Sequence, residues 1–197
     1  MIALPFLKKR SKRDDIIKQA FHVFYHAGFH ATCMDSILTG TGISKRTLYK
    51  YFRNKEELIA ASLNHYRHIM AEQMALHLTT IGDDPTKKIM AIFELQAELL
   101  TATDFSGCFA MNAQLEYADK EPIIEAACAQ FFTDITAIFK ENAILAGCPT
   151  PQIYAQQLML LLQGAIVQSQ AEHSTNPLFL ARDTAQILLT YNKIIVI

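Results

Sequence analysis

Apolar residues recur at three- and four-residue intervals through almost the whole chain, and polar caps and prolines mark where each run begins. Ile17, Phe21, Phe24 and Tyr25 form the first such stripe, opened by Ser11 and Asp14 and stopped by Gly28, which predicts a helix with one buried face. A short second helix is expected near Met34 to Thr39 with Thr32 as its cap, and a third over Lys45 to Arg53. From Lys55 a long helix is expected to run to about Thr79 and to end at IGDDP, where Asp84 caps the next helix and Pro85 takes its first position. The pairs Thr150-Pro151 and Asn176-Pro177 repeat that grammar and predict helices near 151–172 and 177–192, with others over 86–101, 107–118 and 122–146. No alternating strand pattern competes, and the tail IIVI is too short to assign. There is no internal repeat, low-complexity linker or sustained heptad pattern. The expected architecture is all-α, with about nine helices in a small three-helix head over 1–54 and a helical body over 55–197.

Composition limits what such a bundle does. A chain of 197 residues that is 51% hydrophobic and 19% charged buries a substantial core, which excludes disorder. The net charge of −1 hides an asymmetry: residues 1–55 carry eleven Lys or Arg against three Asp, and the remainder carries seven against sixteen acidic residues. A head of +8 attracts polyanions and a body of −9 repels them, so contact with nucleic acid is expected at one end only. The richest apolar run, LMLLLQGAIV, is broken by Gln163, so no membrane span and no membrane partner are expected. The opening MIALPFL places its charges after a short apolar run, unlike a secretory signal, and reads as a loose arm. Cys33, Cys108, Cys128 and Cys148 show no CxxC spacing and read as reduced thiols, so a cytoplasmic location is expected.

The densest chemistry lies in GTGISKRTLYKYFRNKEEL, from Gly40 to Leu58. Gly42 suits a left-handed turn, and Ser44 caps a helix that carries Lys45, Arg46, Thr47, Tyr49, Lys50 and Tyr51 on a rod sized for a DNA major groove. Asn54 and Glu57 have capping-box spacing at the next helix, where Lys55 in the first turn opposes the helix dipole and a phosphate would remove the conflict. Taken with AGF (Ala27 to Phe29) and ATCMDSI (Ala31 to Ile37), the stretch from Ser11 to Ala60 resembles the DNA-binding domain of the TetR family of bacterial transcriptional regulators. It departs from that pattern at Leu38 and Gly40, inside the expected second helix, where a glycine costs about 1 kcal/mol.

The resemblance implies a helix-turn-helix domain over 1–54, joined to a ligand-binding and dimerisation domain over 55–197. It implies a ligand-responsive regulator, a repressor in the first instance, that binds a palindromic double-stranded operator as a homodimer and is released by a small-molecule effector, with no enzymatic activity and no cofactor. In a helix-turn-helix the start of the second helix meets base edges, which assigns Lys45, Arg46 and Thr47 to base reading. The family likeness adds Tyr49, Lys50 and Tyr51 as backbone or base-edge contacts, Thr32 and Lys55 as phosphate contacts, and Leu48 and Phe52 as core. Ser44, the cap, stands with the DNA-binding set. The arm from Lys8 to Arg13 reads either as an extra phosphate or minor-groove contact or as a solvated terminus.

Two regions of the body carry further expectations. Ile153, Leu158, Leu161, Leu162, Ala165 and Ile166, with Leu180, Thr184, Ile187, Leu188 and Tyr191, are too apolar for solvent, and Gly164 and Ala165 admit a close partner helix. The resemblance implies a four-helix dimer interface there; the alternative is that these residues close the intramolecular core. Phe93, Gln96, Met111, Asn112, Glu116, Tyr117, Phe131 and Phe132 mix apolar walls with isolated polar groups, as in a small-molecule pocket or in an ordinary core with a polar edge. His22, His26 and His30, and His65 with His68, have helical spacings suited to a metal, but no carboxylate or cysteine completes a set. Cys108, after Gly107 at a helix start, reads as an electrophile or oxidant sensor or as a buried structural thiol. Two other classes compete with the regulator: a helical enzyme, against which stands the lack of any GxSxG, HExxH, GxGxxG or phosphate-binding loop, and an architectural DNA protein whose body needs no pocket.

Overall fold

The structure, a computed structural model, describes residues 11–101 and 106–194, with side chains to residue 191. The opening MIALPFL, the arm residues Lys8 to Arg10 and the end of the tail IIVI lie outside the described residues. Eight α-helices and one 3₁₀ turn make up the described residues: α1 Lys12–Ala27, the 3₁₀ turn Ser36–Leu38, α2 Lys45–Tyr51, α3 Lys55–Thr80, α4 Pro85–Leu100, α5 Phe109–Tyr117, α6 Pro122–Leu145, α7 Pro151–Glu172 and α8 Asn176–Ile194.

The caps set most of these boundaries. Ser11 and Asp14 form a reciprocal capping box on α1, and Gly28 (φ +80°) ends it. The Asp84 carboxylate accepts from the Thr86 and Lys87 N–H groups, with Pro85 at the first position of α4. Two expectations need correction. The second helix is only the 3₁₀ turn Ser36–Leu38, because the chain turns extended at Thr39 and passes through Gly40 and Gly42, both at positive φ. Gly40 therefore lies outside any helix. Thr32 does not cap that turn, since its hydroxyl donates to the Gly28 carbonyl at 2.7 Å.

α3 is the shared element. Its 26 residues span about 39 Å at 1.5 Å per residue, so one helix supports the head at one end and the body at the other. Leu58, Ile59 and Leu63 are buried near its start, and Met70 and Met74 near its end. In the body α6 packs against α3, α4, α5 and α7, and α8 against α4 and α7. By length and composition α6 is the one helix among the described residues that could cross a membrane, with a mean hydropathy of 1.3 over its most apolar window. Its Ile124, Phe131, Ile135 and Phe139 instead face the bundle. Tyr154 of α7 is fully buried and donates its hydroxyl to the Ala185 carbonyl of α8 at 2.7 Å. Arg182 ties α8 to Glu94 of α4 at 3.1 Å. Gly107 (φ +88°) permits a close approach: a Cβ there would lie 2.5 Å from Gln170 Oε1 on α7.

Candidate nucleic-acid interface

The turn before α2 is built by its own side chains. The Thr41 hydroxyl donates to the Leu38 carbonyl (2.8 Å) and accepts from the Ile43 N–H (3.1 Å), while Gly42 (φ +67°) reverses the chain. Ser44 then caps α2 by accepting the Thr47 N–H at 3.2 Å, and its hydroxyl lies 2.8 Å from that of Thr47. Leu48 and Phe52 are buried and anchor α2 to the head's core. At about 100° per residue, Arg46 and Lys50 stand roughly 160° around the helix from Leu48, and so face directly away from that core. Tyr49 and then Lys45 lie beside them on one side, and all four are exposed. Tyr51, also exposed, has the Lys50 amine 5.9 Å from its ring centre. The result is a compact basic-aromatic face on a short rod.

Some of the expected residues are held by neighbours within the chain. Lys45 is held by Asp35 at 2.8 Å, and that hydrogen bond and charge raise the lysine's pKa. Asp35 was not legible as a partner, because it lies ten residues away across the turn. Thr32 is 3% exposed and its hydroxyl donates to the Gly28 carbonyl. The half-buried Lys55 donates its amine to the carbonyls of Phe29 (3.0 Å) and Thr32 (3.2 Å). The capping box at Asn54 is half formed: Asn54 accepts the Glu57 N–H at 2.9 Å, but the Glu57 carboxylate turns to the Arg53 N–H and guanidinium instead. The Arg53 pairing holds the Glu57 carboxyl below the usual carboxylate range. Of the basic arm, Lys12 and Arg13 lie in the first turn of α1, with the Arg13 guanidinium 5.1 Å from the centre of the Phe52 ring.

The expected pocket residues separate into different places. Phe93 is buried against Phe139 (ring centres 5.9 Å apart), and Gln96 is buried on the same helix. Phe131 borders a small apolar cavity of about 30 Å³ with Met70, Met74, Ile135 and Ile138, closed on one side by the Arg67–Asp134 pair. Met111 and Phe132 are half-buried at the edge of the core. Asn112, Glu116 and Tyr117 do not converge on that cavity: Asn112 donates to the Ser106 carbonyl at 2.9 Å, while Glu116 and Tyr117 turn to the head. Burial, reinforced by neighbouring carboxylates, pushes the Tyr117 phenol up to about 12. Burial likewise raises the Cys108 thiol, which disfavours the thiolate that a sensor would need. The His22 and His26 rings pack edge to face, 4.6 Å apart.

The last two helices also divide their residues. Leu158, Leu162 and Ala165 are buried within the chain, so they belong to its own core, and Leu161 and Leu188 are half-buried. Leu180, Thr184 and Ile187 are exposed, and Leu160 at 72%, Ile187 at 68% and Tyr191 at 61% exposure mark an apolar stripe on the outer side. Ile153, Leu160 and Val167 of that stripe recur every seven residues along α7. That seven-residue spacing is the signal in the sequence that marks Leu160 and Val167.

Comparison with known proteins agrees with this geometry. Residues 16–62 match the family described as bacterial regulatory proteins, tetR family, and residues 85–184 match the transcriptional regulator LmrA/YxaF-like C-terminal domain. The HTH-type transcriptional regulator LmrA of Bacillus subtilis (strain 168) is 22% identical over 170 residues, covering 84% of this chain and 90% of LmrA. The HTH-type transcriptional repressor NemR of Escherichia coli (strain K12) is 24% identical over 176 residues, covering 84% of this chain and 87% of NemR. The fold is shared with a TetR transcriptional regulator from Chloroflexus aurantiacus J-10-FL, at a TM-score of 0.79 and 19% identity over 90% of this chain and 93% of that one. With a glycine-turned, capped helix exposing a basic face at one end of an all-helical bundle, and with both halves of the chain matched, the protein belongs to the tetR family of bacterial regulatory proteins, and is a transcriptional regulator and not an enzyme.

Proposed function

We propose that the chain is a ligand-responsive repressor that binds a palindromic operator as a homodimer and is released by a small-molecule effector. The observation that carries this reading is the face of α2 on which Arg46 and Lys50, with Tyr49 and Lys45 beside them, point away from the buried Leu48. Cations at the start of a groove-lying helix pair with guanine O6 and N7, and aromatic hydroxyls and lysines grip phosphates. Residues 1–54 are the reading head, and Ser44, Thr47 and Tyr51 support it. Repression is supported by relatives such as NemR that are named as repressors. Dimerisation is supported by the exposed apolar residues of α7 and α8, among them Leu180 and Ile187 with Thr184 between them on α8. The place proposed for an effector is the apolar cavity beside Phe131, which at about 30 Å³ must open by repacking of Met70 and Met74 to admit one.

The test is a mobility-shift titration on DNA from immediately upstream of the protein's own gene and on DNA selected from a genomic library, at two salt concentrations. Saturable binding that weakens with salt, gives a two-fold symmetric footprint, and falls at least tenfold in the double variant Arg46→Ala/Lys50→Ala is the expected result. Selection of no sequence above random DNA overturns the reading. A screen of small molecules for release of the selected DNA tests the effector half.

A further inference from the structure

The turn that leaves α1 is gripped from both sides by charged groups that reach its main chain. On one side, the Glu116 carboxylate of α5 accepts the His30 N–H at 3.0 Å and the Phe29 N–H at 3.5 Å. On the other, the Lys55 amine at the start of α3 donates to the Phe29 and Thr32 carbonyls at 3.0 and 3.2 Å. Gly28 (φ +80°) turns the two N–H groups toward α5, and a Cβ at that position would lie 3.9 Å from Glu116 Oε1. The His30 ring stacks on Tyr117 (ring centres 4.8 Å apart), with its Nε2 3.3 Å from the Glu116 carbonyl. Nearer the start of α5, the Tyr25 hydroxyl accepts the Ser106 N–H (3.1 Å) and donates to the Gly107 carbonyl (2.9 Å). Between these polar points Phe109 is fully buried, 4.9 Å from both Phe21 and Phe29.

These contacts divide the work. The aromatic seam supplies adhesion, which is non-directional and tolerates sliding. A carboxylate on two backbone N–H groups is charge-assisted and sets register, so it does not tolerate sliding. The gripped segment leads into the 3₁₀ turn and α2, so its position fixes where the Arg46 and Lys50 face points. We infer that Glu116 is a positioning residue that registers the DNA-reading head against the body, with Lys55 as its counter-anchor on α3. The Glu116 carboxylate sets the angle of the turn that leads into the head, alongside the Tyr25 hydroxyl nearer the start of α5, and a change in the body that withdraws Glu116 loosens the head without unfolding it. The DNA half of this inference rests on the reading proposed above.

The test uses the full chain with Glu116→Ala and Glu116→Gln. Amide hydrogen exchange is read by NMR at Phe29 and His30 and at core positions of α7 such as Leu158. Affinity is measured for DNA that the wild type selects from a random library. In Glu116→Ala, exchange at Phe29 and His30 is expected to rise at least tenfold with the α7 amides unchanged, and affinity to fall at least fivefold. Glu116→Gln, which keeps one acceptor oxygen, is expected to lie between. Unchanged exchange at Phe29 and His30 overturns the inference, as does an equal rise in the α7 amides, which would mark a merely structural residue. Unchanged or tighter DNA binding despite faster local exchange overturns it as well. If the wild type selects no DNA, the regulator reading fails instead, and the exchange measurements still decide whether Glu116 holds the head.

Discussion

The Tyr154 hydroxyl has no contact with solvent, and its single bond to the Ala185 carbonyl at 2.7 Å joins α7 to α8 inside the core. Burial raises its ionisation well beyond the ordinary phenol range, so it remains a donor at any working pH. Tyr154→Phe keeps the ring and removes only that donor, so a loss of about 1 kcal/mol in unfolding free energy is expected from urea titration. Asp134 responds to pH in a different way. Burial works to raise its carboxyl, but the Arg67 guanidinium and the Gln130 amide overcome that and hold it below its ordinary value. A carboxyl whose folded value is depressed stabilises the fold above its unfolded value, and that contribution is lost as pH falls through the folded value. Asp134→Asn is therefore expected to lower the urea midpoint near pH 6, with the gap to the wild type closing toward about pH 3. Both side chains sit on a partly exposed rim, so the gap is small.

At the scale of the element, α2 is too short to hold itself together, and seven residues depend on the Ser44 cap and the buried Leu48. Ser44→Ala is expected to cost about 1 kcal/mol of head stability and to weaken DNA binding while the melting of the body is unchanged, as read by circular dichroism alongside mobility shift. The starts of α1, α4 and α7 were legible because caps and N-terminal prolines act within a few residues of chain. The reduction of the second helix to Ser36–Leu38 was not, since it depends on how Thr39, Gly40 and Gly42 turn the chain once the head has packed. The phase of α7 was hidden for another reason. Leu158, Leu160, Leu161 and Leu162 are apolar on every side of the helix, and only packing shows that Leu158 and Leu162 face inward while Leu160 faces out. Glu116 was legible as a polar residue in an apolar helix, but its partners are main-chain N–H groups more than eighty residues away, which leave no side-chain signature.

Over the whole molecule, the outer stripe of α8 places Leu180, Thr184, Ile187 and Tyr191 at steps of four, three and four, the spacing by which one helix seats against another. Ile187→Arg adds charge where the single chain has only solvent, so it is expected to leave the fold intact and convert a dimer to a monomer in sedimentation velocity, with at least a tenfold loss of affinity for a two-half-site DNA. The uneven charge along the chain has a separate consequence. Residues 1–55 carry a net +8 and the remainder a net −9, so the molecule is itself an electric dipole. In the field of a polyanion such a body is turned before it touches, positive end leading and negative end trailing. Encounters that would otherwise arrive at random orientation are sorted in advance, and the time lost to wrong-way collisions shrinks as the surrounding salt is thinned.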